Sequence, residues 1–470
     1  MTKKIKKMCL FVLAGLCFFT SAENSYAQEK RHITPDEAVA LAIQNNLGLE
    51  SQRITTQTKK RKSDLFWNAF IPSLGISGGL TVDNEKPPSS MSVPVPIPPA
   101  NIIYGTANIP AEISPVHLMG QIQIQVGLSI ALFEGIKAYR LDYQNGLITY
   151  DKVKLQLERD IRKAYYGILL LEEQAKLARE SLAIAQDSEE SARVNYRAGR
   201  SPQLQWLQAQ VNAKNLQPQV DQATRGVKLA KSQFSMNMGL PLDTELELEP
   251  IDDVDSVAAL NMGELVKKAI DRKPDILELK AQLNTVKAQR SAQMYSDLTP
   301  TLALSWNSQS VFTQITKPAE NDISKPDDWN KSGGFTIALS WTPTNFIPWG
   351  TSIQALKDTD DSIKKLSIGL SQAIQGVELD IYNSVNTLEQ LRITMEAQEA
   401  TVELAQRSYS ETNTAYRNGL QSLLDVENAQ VQLNSARVNL QQQKFNYLQG
   451  LVDLEYSIGV PFGTFISSQK

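Results

Sequence analysis

Apolar residues recur every three to four positions over two very long stretches of this chain, and at every second position over four short ones. No proline interrupts the first long stretch, Gly135 to Gly199. One of its seams runs Ile161, Ile168, Ala175, Leu182, Tyr196, and the other runs Leu157, Ala164, Leu171, Ala178, Ala185, Ala192; Glu189 is the charged intruder. The same frame returns as Ile381, Leu388, Met395, Val402, Tyr409, Tyr416 beside Val377, Ser384, Leu391, Ala405. A sustained seven-residue spacing predicts helices packed side by side as coiled coils, and the alanines let neighbours approach closely. At about 1.5 Å per residue, Gly135–Gly199 and Gly350–Gly419 would each be on the order of 100 Å long. Each ends at a tight turn. A shorter helix follows, about Gln203–Met238 and about Leu423–Ile458, closed by Gly and then Pro. Two more helices open the halves. Thr34-Pro35-Asp36-Glu37 supplies a cap, a first-turn proline and acids for a helix to about Phe70. Met262–Tyr295 does the same in the second half, with Asp271-Arg272-Lys273-Pro274-Asp275-Ile276 standing where Gln44-Asn45-Asn46-Leu47-Gly48-Leu49 stands. Two helices of roughly 35 residues laid end to end match one of roughly 65, so each half pairs a continuous helix with a spliced one.

Between the opening helix and the long helix the period drops to two. Strands are predicted at about 71–82 and 121–133, where Gln121-Ile122-Gln123-Ile124-Gln125-Val126 alternates most plainly, and at about 301–312 and 335–343. Segments of roughly ten residues with one apolar face fit tilted transmembrane strands, although taken alone they favour a half-buried soluble sheet. Four strands cannot close a barrel of useful width, so closure needs several chains, and a trimer would give twelve strands. The proline-rich segment Lys86–Pro115 and the polar segment Asn307–Ser332 read as long surface loops.

The chain also repeats itself. Tyr196-Arg197-Ala198-Gly199 returns as Tyr416-Arg417-Asn418-Gly419, Ala209-Gln210-Val211 as Ala429-Gln430-Val431, and Met238-Gly239-Leu240-Pro241 as Ile458-Gly459-Val460-Pro461. All three pairs share one offset, so the molecule is a duplication of a long unit. The expected organisation is an export signal at 1–27, a first repeat at 28–243, a linker at 244–260, a second repeat at 261–461 and a tail at 462–470.

Composition and charge then narrow the function. Lys3, Lys4, Lys6 and Lys7, the apolar run Met8–Phe19 and Ser25-Tyr26-Ala27 form a cleavable signal peptide. Acylation of Cys17 is disfavoured, because Leu16 stands where a small residue should precede it. Cys9 and Cys17 are the only cysteines, so the mature chain has no disulfide. The formal charge of −4 becomes more negative when the four signal lysines leave with Glu23, which removes any electrostatic case for nucleic acid. No apolar run after the signal reaches a transmembrane helix, so entry into a membrane would require a closed β-barrel. His32 and His117 are the only histidines and lack metal-ligand spacing. There is no phosphate loop, nucleophile elbow or HExxH, so the reading is of a non-enzyme with no cofactor and no metal.

Taken in order, these residues resemble the TolC-like outer-membrane efflux family: a signal peptide, then twice over a helix, two strands, a long helix, a tight turn and a helix. Ile33-Thr34-Pro35-Asp36-Glu37-Ala38-Val39 with Ala42 and Asn45-Asn46, then Arg272-Lys273-Pro274-Asp275-Ile276, and the two turn motifs carry the resemblance. It implies a mostly α fold with β, in which a homotrimer forms a 12-stranded barrel in the outer membrane, continued by a coiled-coil tunnel through the periplasm. It implies an exit duct for efflux or secretion, in contact with outer-membrane lipid, and coupled by a periplasmic adaptor to an inner-membrane pump. Carried over, Arg197, Gly199, Arg200, Arg417, Gly419, Leu420 and Ser422 mark the tips that meet the adaptor. Asp425 falls where the family often has a carboxylate at the constriction; the other reading is a helix-terminal acid stabilised by the dipole. Gln421 and Asn428 complete the constriction candidates but depart from the family pattern, as does Ser201-Pro202-Gln203-Leu204-Gln205. The rival class is a periplasmic coiled-coil scaffold or adaptor outside the membrane. Such a protein would flank one helical hairpin with compact β domains, whereas here strands interrupt helices twice at matching positions.

Overall fold

The structure is a computed structural model that describes residues 31–82, 90–97, 101–108, 116–250, 262–312 and 323–465. The export signal with Cys17, most of the linker and the end of the tail lie outside the described residues. Among these residues there are eight α-helices: α1 (Pro35–Asn45), α2 (Leu47–Asp64), α3 (Ile130–Arg197), α4 (Gln203–Asn237), α5 (Met262–Arg272), α6 (Pro274–Leu298), α7 (Thr351–Arg417) and α8 (Leu423–Ile458). The strands are β1 (Arg31–Ile33), β2 (Ser73–Val82), β3 (Ser90–Ile97), β4 (Asn101–Asn108), β5 (Val116–Leu128), β6 (Leu246–Leu248), β7 (Thr301–Phe312) and β8 (Asn330–Ser340). The described residues within 31–50, 153–269 and 379–465 form one compact unit, and those within 51–152 and 270–378 form another. Each repeat contributes segments to both, so the repeats are not themselves the compact units.

The first unit is helical. The heptad seams fill its core: Ile161, Ile168, Ala175 and Leu182 of α3 and Ile381 and Leu388 of α7 are buried. Tyr165 is wholly buried, and its hydroxyl lies 2.9 Å from the carbonyl oxygens of both Ile33 and Glu249. That contact fastens α3 to a short parallel pair, β1–β6, which the sequence pattern did not reveal. β6 falls inside the segment expected to be linker. The tail is likewise docked where it begins: Glu455, fully buried on α8, accepts the backbone N–H groups of Gly463 (3.0 Å) and Phe465 (2.9 Å). Burial pushes the Glu455 carboxyl up, against the pull of those N–H donors.

Each opening helix is broken once instead of running through. Asn46 ends α1 in extended conformation, and its side-chain oxygen accepts from Gly48 N–H (2.9 Å) and Leu49 N–H (3.1 Å), which starts α2. At the matching place Pro274 excludes Lys273 from the helical region, separating α5 from α6. The first-repeat helix stops at Asp64, and a 3-10 turn, Phe66–Phe70, leads to β2.

The second unit carries an antiparallel sheet in the order β2-β5-β7-β8. Its strands differ in extent from the sequence expectation: β5 begins at Val116 and yields to α3 at Ile130, and β8 begins at Asn330. The Lys86–Pro115 segment is not a plain loop, because β3 and β4 pair as an antiparallel hairpin within it. Pro94 and Pro96 are two residues apart, so their missing N–H groups fall on the same edge of β3. In the four-stranded sheet, Ile76 faces Ile122, Ile124 faces Leu74 and Trp306, and Leu304 faces Ile337. The register therefore gathers most of the apolar residues of all four strands on one face. Ser73, Ser77, Gln121, Gln123, Gln125, Asn307, Gln309 and Thr336 share the other.

Candidate functional site

Two features of this fold could serve transport: the sheet and the paired helical turns. Every residue of β2 and β8 is exposed, on both faces. Leu74, Ile76, Leu80, Phe335, Ile337 and Leu339 are all more than 60% exposed. A sheet with one mainly apolar face, a glutamine- and serine-rich opposite face, two exposed outer strands and two unpaired edges is incomplete as it stands. No helix among the described residues is long and apolar enough to cross a membrane.

The turns are built identically in the two repeats. Gly199 adopts φ +68° and Gly419 φ +74°, a left-handed conformation that glycine reaches without Cβ strain. At the first turn Gly199 N–H donates to Tyr196 O and Arg200 N–H to Asn195 O, each at 2.9 Å. At the second, Gly419 N–H donates to Tyr416 O and Leu420 N–H to Ala415 O, also at 2.9 Å. This is the crossed pair of bonds that closes a helix on a left-handed residue. Ala192, Ala209 and Leu423 form a small shared core with Trp206 and Tyr416, which brings the two turns together. Tyr196 stacks on Trp206 at 5.8 Å between ring centres. The tryptophan comes from the first-repeat turn, the one that departs from the family pattern.

The turns differ at the helix that follows. Pro202 precedes α4 with no side-chain cap, whereas Ser422 and Asp425 form a reciprocal capping box on α8. Ser422 donates to the Asp425 carboxylate from its backbone N–H (3.0 Å) and from its Oγ (2.6 Å), and Asp425 N–H returns to Ser422 Oγ (3.3 Å). The hydroxyl bond first, and the backbone bond after it, hold the exposed Asp425 carboxyl below the usual range, so it is charged at neutral pH. Gln421, Ser422 and Asn428 are exposed around it, as are Arg197, Arg200, Arg417 and Leu420. Among the described residues the three arginines form no ion pair. Leu204, Leu420 and Leu424 add exposed apolar surface. Ser422 was expected as a contact residue, and its capping role is legible only in the Ser-x-x-Asp spacing. Among the described residues no cluster of three or more His, Cys, Asp or Glu side chains could hold a metal ion.

Two tandem helix–strand–strand–helix repeats, an amphipathic sheet with open edges and paired helical tips define an outer-membrane export channel chain. The chain belongs to the outer membrane efflux protein family, whose model matches residues 38–239 and 265–460. It is 20% identical over 334 residues to the alkaline protease secretion protein AprF of Pseudomonas aeruginosa, covering 70% of this chain and 67% of that one. Its fold is similar to that of CusC, whose structures describe transmembrane channel formation, with TM-score 0.69 at 16% identity over 91% of this chain and 92% of CusC. It is also similar to the Campylobacter jejuni CmeC outer membrane channel, with TM-score 0.69 at 13% identity over 93% and 87% of the two chains.

Proposed function

We propose that three copies of this chain close a twelve-stranded barrel in the outer membrane and form the exit duct of a tripartite efflux or secretion system. Substrate would pass without chemistry from an inner-membrane pump through a periplasmic adaptor to the exterior. The observation that carries this reading is the sheet: open at β2 and β8, which are exposed along their whole length, and mainly apolar on one face and polar on the other. Pairing β8 of one copy with β2 of the next satisfies both edges, turns the apolar face to lipid and lines a lumen with glutamine, serine and asparagine. The two tip turns, with free arginines and exposed leucines, are the adaptor-docking surface of this proposal. Asp425 contributes a ring of three carboxylates at the constriction, flanked by Gln421 and Asn428; its capping bonds support a fixed, charged carboxylate there. In this reading both tip turns face the periplasm. Extraction with detergent followed by mass measurement of the native oligomer tests the assembly: a trimer in outer-membrane fractions is expected, and a water-soluble monomer after signal removal would refute it.

A further inference from the structure

The end of α2 carries a feature that neither the duct nor its tips require. Thr58, Arg61, Lys62, Leu65, Phe66 and Ala69 follow one another at helical three- and four-residue spacing. With Tyr139 of α3 they line an open groove of about 500 Å³. Along it a turn of positive charge gives way to an apolar turn on the approach to β2. The groove floor is ordered by aromatic packing: Phe66 and Tyr139 lie 5.3 Å apart, and Phe70 and Phe133 lie 5.9 Å apart.

The charges at this groove are not spent within the protein. Lys59, just before them, is held by Asp142 at 2.9 Å. Arg61 reaches only the Thr58 hydroxyl, at 3.1 Å, and Lys62 forms no ion pair among the described residues. Lys137 and Arg140, on the turn of α3 that carries Tyr139, are exposed and add to the positive potential, against Asp64 and Glu134. The second repeat is built otherwise. Its arginine near the matching end of α6, Arg290, is clamped by both oxygens of Asp360 at 2.7 and 3.0 Å. That arginine is therefore spent within the protein, unlike Arg61. Trp67, Phe133, Trp341 and Trp349 are exposed in the same helix-to-strand junctions, the residue types that settle at a membrane–water boundary.

We propose that this groove binds an anionic phospholipid of the leaflet facing the helices, with its phosphate at Arg61 and Lys62 and an acyl chain along Leu65, Phe66 and Ala69. The assignment rests on the reading of the sheet as membrane-inserted. Basic side chains over an apolar cleft at the lipid boundary match both parts of such a lipid, and neither a free phosphate nor a neutral lipid satisfies both. The occupant would fill a cleft beside the first-repeat junction and fix the depth at which that junction sits.

The test uses the full-length protein reconstituted into vesicles of phosphatidylcholine with or without phosphatidylglycerol, then extracted gently and weighed as the intact oligomer with its retained lipid. The wild-type protein should retain phosphatidylglycerol selectively, one per chain, and glycerol phosphate added in excess should not displace it. The double substitution Arg61→Ser/Lys62→Ser should insert and assemble normally but hold phosphatidylglycerol about 30-fold more weakly, the factor that corresponds to roughly 1 kcal/mol per basic side chain. A paired control on exposed residues of α7, Lys364→Ser/Lys365→Ser, should leave retention unchanged. Equal retention of both lipids, undiminished retention by the double variant, or displacement by glycerol phosphate would each overturn the groove assignment alone. Failure of the wild-type protein to enter vesicles of either composition would overturn the sheet reading, and the groove assignment with it.

Discussion

Placing an arginine at Ile76 or at its neighbour Ser77 should have opposite consequences, although the two positions are adjacent in β2. Ile76 shares a face with Leu74 and Leu80 and lies opposite Ile122; Ser77 lies opposite Gln121. β2 has ten residues, which at about 3.4 Å each and a tilt near 45° cover roughly 25 Å of membrane, the height of a barrel's apolar band. Ile76 stands in the middle part of that span. An arginine facing lipid near the midplane costs about 2–4 kcal/mol. Three chains carry it to roughly 6–12 kcal/mol per barrel, comparable to the whole stability of a domain. Ser77→Arg would face the water-filled lumen and should stay within about 0.5 kcal/mol of wild type. The assay is folding into phosphatidylcholine vesicles, scored by the altered gel mobility of the unheated barrel and by protection from protease. Ile76→Arg should reduce the folded fraction more than tenfold. Ser77→Arg should fold normally and lower cation conductance by adding three positive charges to the lumen. Equal folding of both variants, or the reverse order, would refute the assignment of faces.

Asp425→Asn keeps a side-chain oxygen for the Ser422 cap while removing the charge, so assembly should be unchanged. Cation selectivity in planar bilayers should fall, most at low salt; unchanged conduction would leave Asp425 as a capping residue only. Glu455→Gln directs an amide toward the N–H groups of Gly463 and Phe465 and should cost about 1–3 kcal/mol in thermal unfolding. Because burial raises the folded-state pKa of Glu455 above its ordinary 4.5, its protonation favours folding below that value, and the gain disappears as pH rises through the raised pKa. The glutamine variant should lack that slope, and an unaltered pH profile would contradict it. Reversing the tip charges with Arg197→Glu and Arg417→Glu should abolish capture of the cognate adaptor in cross-linking while leaving the oligomer intact; undiminished capture would remove these arginines from the docking surface.

The long helices and their turns were legible because their causes are local and repeated. A seven-residue apolar period and a glycine that alone tolerates positive φ each leave a mark in sequence, and the duplication writes every mark twice. The alternation in β2, β5, β7 and β8 was equally plain, but it could not separate a lipid-facing sheet from a half-buried one. The register, which gathers Leu74, Ile124, Trp306 and Phe335 on a single face, is common to both kinds of sheet; the exposure of β2 and β8 is what supports the lipid-facing reading proposed above. What escaped notice depends on distant partners. β1 and β6 are three residues each and exist because Arg31–Ile33 meets Leu246–Leu248 across the first repeat. The break at Asn46 depends on one amide capping the helix after it. The β3–β4 hairpin was hidden by prolines that normally argue against a strand. The two turns fall at the glycines that the sequence marked, whereas the Tyr196–Trp206 stack and the α2 groove were not foreseen. The signal for the groove was present: Lys59-Lys60-Arg61-Lys62 is followed, after Ser63-Asp64, by Leu65-Phe66-Trp67.

The sheet order leaves one free edge from each repeat, β2 from the first and β8 from the second. In a ring closed by pairing these edges, every contact between neighbours is head to tail, and every chain must both offer and accept. A chain that keeps β2 but has lost the pairing capacity of β8 is therefore worse than an absent one. It can still attach to an intact neighbour, yet the arc it joins can never close. Such a subunit would act as a stoichiometric poison: synthesised in equal amount with the wild type, it would leave only about one ring in eight composed entirely of intact chains. In the proposed trimer, three copies of one duplicated chain supply six repeats, and that economy makes the ring acutely sensitive to a single defective strand.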